Sequence, residues 1–269
     1  MDKIFQGEFF LSAGDANAEG RLALTVLVNK IIDIATAHAN LLGIGNPQMA
    51  QYNAGWVLSR LTIEMQKYPA VNSPYIIKTW IQDLNRHFST RCFSIESHKG
   101  EVYGYSRSIW MVMDYANHTN FGTSHLNLPP EYISGENVPI PLQEKHIPIL
   151  PENSENPGVK KFLKASKPAY HYEFQFCDLD YYRHVNTVRY VALLLNQFSL
   201  QDHDRSYIDR MELSFLHEAS YAMQTSLYQA VDNEDSLLSS FQLSDDSDGK
   251  PLLFARIRRK INNWNKDGK

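Results

Sequence analysis

Residues 207–219 read YIDRMELSFLHEA, and residues 57–69 read VLSRLTIEMQKYP. The two align without a gap, Arg60 on Arg210, and a strand-like alternation of apolar and polar residues runs in step through both. That alternation is the period of a half-buried strand. Further on, GEVYGYSRSIWMV from Gly100 pairs with GKPLLFARIRRKI from Gly249, setting Arg107 opposite Arg256 at a spacing one residue shorter. Two landmarks at nearly one offset read as a structural unit written twice.

Each copy has the same coarse order. A short strand (around Phe5–Leu11 and Tyr170–Phe176) leads through a polar loop into an apolar helix (Leu22–Leu42 and Asn186–Phe198). Long strands rich in Val, Ile, Tyr, Phe and Trp follow, with turn signals such as HKGE and SDDSDGK. The second helix is apolar over most of its surface, at Val188, Val191, Ala192, Leu194, Leu195 and Phe198, so it should be wrapped by the sheet. The expectation is an α+β fold, a long helix gripped by an antiparallel sheet in each half. Eight of the twelve prolines fall between residues 122 and 168, marking a connection. The expected domains are therefore 1–121 and 169–269, joined by 122–168.

Composition excludes several classes. Hydrophobic residues at 43% and charged residues at 21% suit a globular protein, and a net charge of −4 lacks the basic footprint of a nucleic-acid binder. The N-terminal stretch shows no apolar signal region, and the longest apolar run is interrupted by Asn29, Lys30, Asp33 and His38, so no membrane span is expected. Cys92 and Cys177 form no CxxC pair and no metal spacing, which points to free thiols in a reducing cytoplasm. GIGNPQ lacks the third glycine of a dinucleotide loop, and GxSxG, HExxH and P-loop motifs are absent, so no cofactor or metal is implied.

DLDYYRHVNTVRY (Asp178 to Tyr190) resembles the D-x-D-x-N-x-H-V-N-N-x-x-Y signature of acyl-acyl carrier protein thioesterases. WVLSRLTIEMQKYP and YSRSIWMVMD resemble the matching stretches of their first half. The resemblance implies two fused hotdog domains, and hydrolysis of fatty acyl-acyl carrier protein to free fatty acid. It further implies a catalytic set of Asp180, His184 and Glu218, and an acyl-chain pocket in the first half. Tyr182 stands where the family has Asn, and Thr187 stands at the second Asn after His-Val. Acyl carrier protein is the implied partner. Monomer and homodimer both remain open, as do an acyl-CoA thioesterase and a non-catalytic acyl-binding protein.

Thioester hydrolysis needs a deprotonated water, a stabilised oxyanion and a sheltered acyl chain. His184 sits just ahead of the second helix, where a neutral imidazole can take a proton near pH 7. The amides of Val185 to Val188 would face a carbonyl oxygen at the positive end of the helix, with Asn186 or Thr187 as N-cap. Asp180 is expected to orient the imidazole, and Tyr182 can hydrogen-bond through its phenol. Aligning Asp15 with Asp180 sets Glu19 opposite His184, and the Arg60–Arg210 alignment sets Tyr68 opposite Glu218, so one site per chain is expected. Trp56 is either a wall of the acyl pocket or an ordinary core aromatic. The RIRRK cluster reads as a solvated edge strand, with docking of an acidic carrier protein as the alternative.

Overall fold

The structure, a computed structural model, describes residues 2–117, 119–126, 128–146, 148–151, 163–165 and 167–262. The chain forms two compact units, Met1–Leu142 and Gln143–Lys269. Part of the expected proline-rich connection, 152–162 and 166, lies outside the described residues.

In the first unit, β1 (Ile4–Phe10) precedes α1 (Leu24–Leu41) and α2 (Asn46–Ala50). The long strands β2 (Ala54–Met65), β3 (Pro74–Leu84), β4 (Ser89–Glu96) and β5 (Val102–Asp114) follow, then the short β6 (Thr119–Asn120). The sheet runs β1-β3-β4-β5-β2, every neighbour antiparallel. Helix α1 buries Leu24, Leu27, Val28, Ile31, Ile34 and Ala35, the stripe that a 3.6-residue period brings to one side. Truncating one of these leucines to alanine would remove about 2–5 kcal/mol. Strand alternation divides the sheet into two faces. Arg91 of β4 faces α1, hydrogen-bonding His38, while its neighbour Cys92 packs against Val138 and Ile140. Residues 136–141 are strapped to that outer face, because Arg107 donates to the carbonyls of Val138, Ile140 and Pro141 and Trp80 Nε1 donates to Glu136 O.

The second unit starts with the parallel pair β7 (Ile149–Pro151) and β8 (Leu163–Ala165). It continues through β9 (Tyr170–Glu173), α3 (Thr187–Leu195), α4 (Leu200–Arg205), β10 (Ser206–Phe215), β11 (Gln224–Val231), β12 (Leu238–Asp245) and β13 (Pro251–Ile261). Its order, β9-β11-β12-β13-β10, repeats the first unit strand for strand. The repeat extends to defects: the ladder slips between Leu58 and Arg60 in β2, and between Ile208 and Arg210 in β10. The turns after β4 and β12 both close on a left-handed glycine, Gly100 (φ 81°) and Gly249 (φ 72°), a conformation that suits a residue without Cβ.

Both helices start close to where expected, but α3 stops at Leu195, three residues before Phe198. Ser199 and Asp202 form a capping box that starts α4, so residues 196–198 turn between two helices instead of extending one. Tyr190, Val191, Leu193 and Leu194 are buried, as a wrapped helix requires.

Candidate active site

The loop from Asp178 to Asn186 is built by its own polar groups. The Asp178 carboxylate accepts hydrogen bonds from Gln175 N (2.7 Å) and the Tyr172 hydroxyl (2.9 Å). Asp180 Oδ1 accepts from Tyr182 N (2.8 Å) and His184 N (3.1 Å), and Asp180 N donates to His184 O (2.8 Å). This closes a tight turn with Arg183 at φ 67°, in the left-handed region. Asp180 therefore holds the backbone on which His184 sits. The expectation that it supports the imidazole directly is not met, because its carboxylate hydrogen bonds among the described residues go to those two amides.

Glu218 lies in the loop after β10. Ser220 pairs with His184 as an isolated antiparallel bridge, and Val185 N donates to Ala219 O (2.9 Å). These contacts run the glutamate segment alongside the histidine and bring Glu218 Oε2 to 3.3 Å from His184 Nε2. Both side chains are about two-fifths exposed (36% and 41%), so a substrate can reach them. Behind them the Tyr190 phenol is held well above its ordinary range, chiefly by burial, with the Glu218 and Asp180 charges adding and the Ala219 backbone opposing. Its ring packs edge-on against Phe174 and Phe215, fixing the floor of the site.

Asn186 is the N-cap of α3, its Oδ1 accepting from Val188 N (3.0 Å). Of the four amides expected to face a carbonyl oxygen, three are engaged: Val185 N by Ala219 O, Asn186 N by Asp178 O and Val188 N by the Asn186 side chain. Among the described residues the Thr187 N–H has no hydrogen-bond partner, so it alone of the four is available. Tyr182 is exposed on the rim, its ring against Tyr181 with centroids 3.9 Å apart.

The first unit repeats this loop with different chemistry, and the equivalence sits two residues from the sequence alignment. Arg21 N donates to Asn17 Oδ1 (2.9 Å), Asn17 N donates to Arg21 O, and Arg21 bridges Ala70. These are the contacts of Asp180, His184 and Ser220. Asn17 thus matches Asp180, Asp15 matches Asp178, and Arg21, not Glu19, stands at the histidine position. Asn and Asp present the same side-chain oxygen to a backbone amide, so identity at Asp15 misled the register. Tyr68 keeps its match to Glu218. The first unit therefore has neither a histidine nor a glutamate at these positions.

Trp56, in β2, donates Nε1 to Ile44 O (2.6 Å) and lines a small cleft against α1. The RIRRK arginines are paired within the second unit: Arg256 with Glu144, Arg258 with Asp209 (2.7 Å) and Arg259 with Asp202 (3.0 Å). Among the described residues no cluster of three or more His, Cys, Asp or Glu side chains could hold a metal ion. No helix among them is long and apolar enough to cross a membrane.

Fold and site together define a chain of two helix-and-sheet units, with the His184–Glu218 pair at the mouth of the second unit's helix. Residues 2–121 match the acyl-ACP thioesterase N-terminal domain and residues 163–261 the C-terminal domain, and the chain belongs to the acyl-ACP thioesterase family. It is 25% identical over 257 residues to a chloroplastic palmitoyl-acyl carrier protein thioesterase of Gossypium hirsutum, covering 91% of this chain and 56% of that protein. Against the chloroplastic oleoyl-acyl carrier protein thioesterase 1 of Arabidopsis thaliana it is 24% identical, covering 80% and 60%. The chain thus spans little more than half the length of these curated relatives. Among solved structures it is similar to an acyl-ACP thioesterase from Bacteroides thetaiotaomicron (TM-score 0.83, 23% identity, 96% of this chain and 98% of that one). It is also similar to the 12:0-ACP thioesterase from Umbellularia californica (TM-score 0.78, 18% identity, 97% and 95%). The shared fold is the pair of hotdog domains that the resemblance implied.

Proposed function

We propose that this chain hydrolyses the thioester of fatty acyl-acyl carrier protein and releases free fatty acid. The observation that carries the proposal is the His184–Glu218 pair, 3.3 Å apart at the mouth of a buried helix. In this reading the Glu218 carboxylate accepts a proton from water as the water oxygen attacks the carbonyl carbon. The Thr187 N–H, at the positive end of α3, stabilises the oxyanion. The proton taken by Glu218 passes across the 3.3 Å contact to His184, which delivers it to the departing thiolate as the C–S bond breaks and returns to its starting state. Asp180 and Asn186 are positioning residues, one holding the His184 backbone and the other starting the helix. Tyr182 borders the entrance, and Trp56 lines the acyl cleft of the first unit.

Acyl carrier protein is the proposed partner, in line with the names of the relatives. A reducing compartment such as the cytoplasm is proposed on the two free cysteines, buried Cys92 and exposed Cys177. The test offers purified protein matched acyl-acyl carrier protein and acyl-CoA thioesters. Faster turnover of the carrier-protein ester supports the proposal. Equal or faster turnover of the CoA ester overturns the partner, and tight acyl binding without turnover of either overturns the enzymatic reading.

A further inference from the structure

The cleft of the first unit holds a charge that the proposed chemistry does not use. Arg91 is 4% exposed and lines the cleft with Trp56, Trp110, Ala39 and Ser89. Its hydrogen bonds among the described residues leave from Nη1 alone, to His38 Nδ1 (2.9 Å) and Thr79 Oγ1 (3.3 Å). No carboxylate lies within ion-pair distance of it among the described residues. His38 cannot supply the missing negative charge, and burial together with the Arg91 charge keeps its ring neutral, with a pKa of about 4. Burial also lowers the Arg91 pKa, to about 10, which leaves the guanidinium protonated at neutral pH.

A buried cation without a counter-ion is destabilising, so its place in this cleft asks for a ligand. The neighbouring polar groups sharpen the point. Trp56 Nε1 is bound to Ile44 O and Trp110 Nε1 to Ser108 Oγ (2.7 Å), so both indoles offer the cleft apolar surface. Ser89, two residues before Arg91 on the same strand face, makes no side-chain hydrogen bond among the described residues. The lining thus sets the apolar faces of Trp56, Trp110 and Ala39 beside the donors of Arg91 and Ser89. A guanidinium can only donate, so the complementary group is an acceptor oxygen, and a carboxylate matches both its charge and its fork.

We propose that the Arg91 end of this cleft is a subsite for an oxygen-bearing acyl chain, a distal carboxylate above all, so that the preferred substrates are oxidised acyl groups. The inference rests on the thioesterase reading for the word substrate, but not for binding. The test therefore uses acyl-pantetheine amides, which are not hydrolysed. Isothermal titration compares alkanoyl, terminally hydroxylated and terminally carboxylated amides at each even chain length from octanoyl to hexadecanoyl. At the length that reaches Arg91, the carboxylated amide should bind about tenfold or more tighter than the plain one, as a charge-assisted hydrogen bond implies, with the hydroxylated amide between. Arg91→Met should abolish the preference and Arg91→Lys should keep part of it. The proposal is overturned if plain amides bind as well as carboxylated ones at every length, or if the preference survives in a folded R91M. Should R91M fail to fold, the wild-type ranking decides alone. Loss of thioester turnover would count against the enzymatic reading and leave this ranking standing.

Discussion

Ser220 pairs with His184 as an isolated bridge, and that single pairing carries Glu218, two residues earlier in the chain, to within 3.3 Å of the imidazole. Glu218 and His184 come from segments separated in sequence by the whole of α3, α4 and β10. One backbone register joins them, so variants that disturb the loop should act through it.

Asp180 tests whether the loop needs a charge or only an oxygen. Asn17 makes the equivalent bond in the first unit with an amide oxygen (2.9 Å). Asp180→Asn should therefore leave turnover within a few-fold of wild type. Asp180→Ala removes the acceptor of two backbone amides and should lower stability by about 2 kcal/mol as well as slowing turnover. Thermal melts and steady-state rates on both variants check this. Equal damage from Asn and Ala would mean that the negative charge itself is required.

Arg183 holds φ 67°, while its counterpart in the first unit is Gly20 at φ 68°. A side chain in the left-handed region is strained by roughly 1 kcal/mol, partly offset by the greater freedom of an unfolded glycine. Arg183→Gly should raise stability by up to about 1 kcal/mol in denaturant unfolding. A clear loss of stability would show that the arginine side chain contributes more than its backbone strain.

How much was legible beforehand depended on what the residues do. The repeat was readable because Arg60 and Arg210 follow the same ladder slip, and Gly100 and Gly249 close the same turn. The helix start at Asn186 was readable from its capping chemistry. Glu218 was reachable only through family resemblance, since an exposed loop carboxylate has no local signature. The amides of Val185 and Asn186 looked available, yet Ala219 O and Asp178 O take them, and no pattern within the helix reveals those partners. The RIRRK stretch reads as a solvated edge strand, yet β13 pairs with β10 on one side and β12 on the other, and Glu144, Asp209 and Asp202 meet its arginines only in the folded sheet.

His38 predicts a pH window for stability. The folded side chain resists protonation down to about 4, because of burial and then the Arg91 charge, against an ordinary value of 6.5. Between those values the unfolded chain binds the extra proton, so stability rises with pH across the window. It is fully present above about 6.5 and is lost on acidification toward about 4, by up to about 3 kcal/mol. Denaturant unfolding across that range should show this slope in wild type and a flatter one in His38→Gln. The same slope in both would assign the acid sensitivity to other groups.

The most direct measurement is the single-turnover rate of Glu218→Gln with palmitoyl- and oleoyl-acyl carrier protein, beside its melting temperature. Removing the carboxylate while keeping the shape should slow hydrolysis by about 100-fold or more and leave the melting temperature unchanged. A folded Glu218→Gln that hydrolyses either thioester at the wild-type rate would contradict the assignment of the His184–Glu218 pair as the catalytic centre.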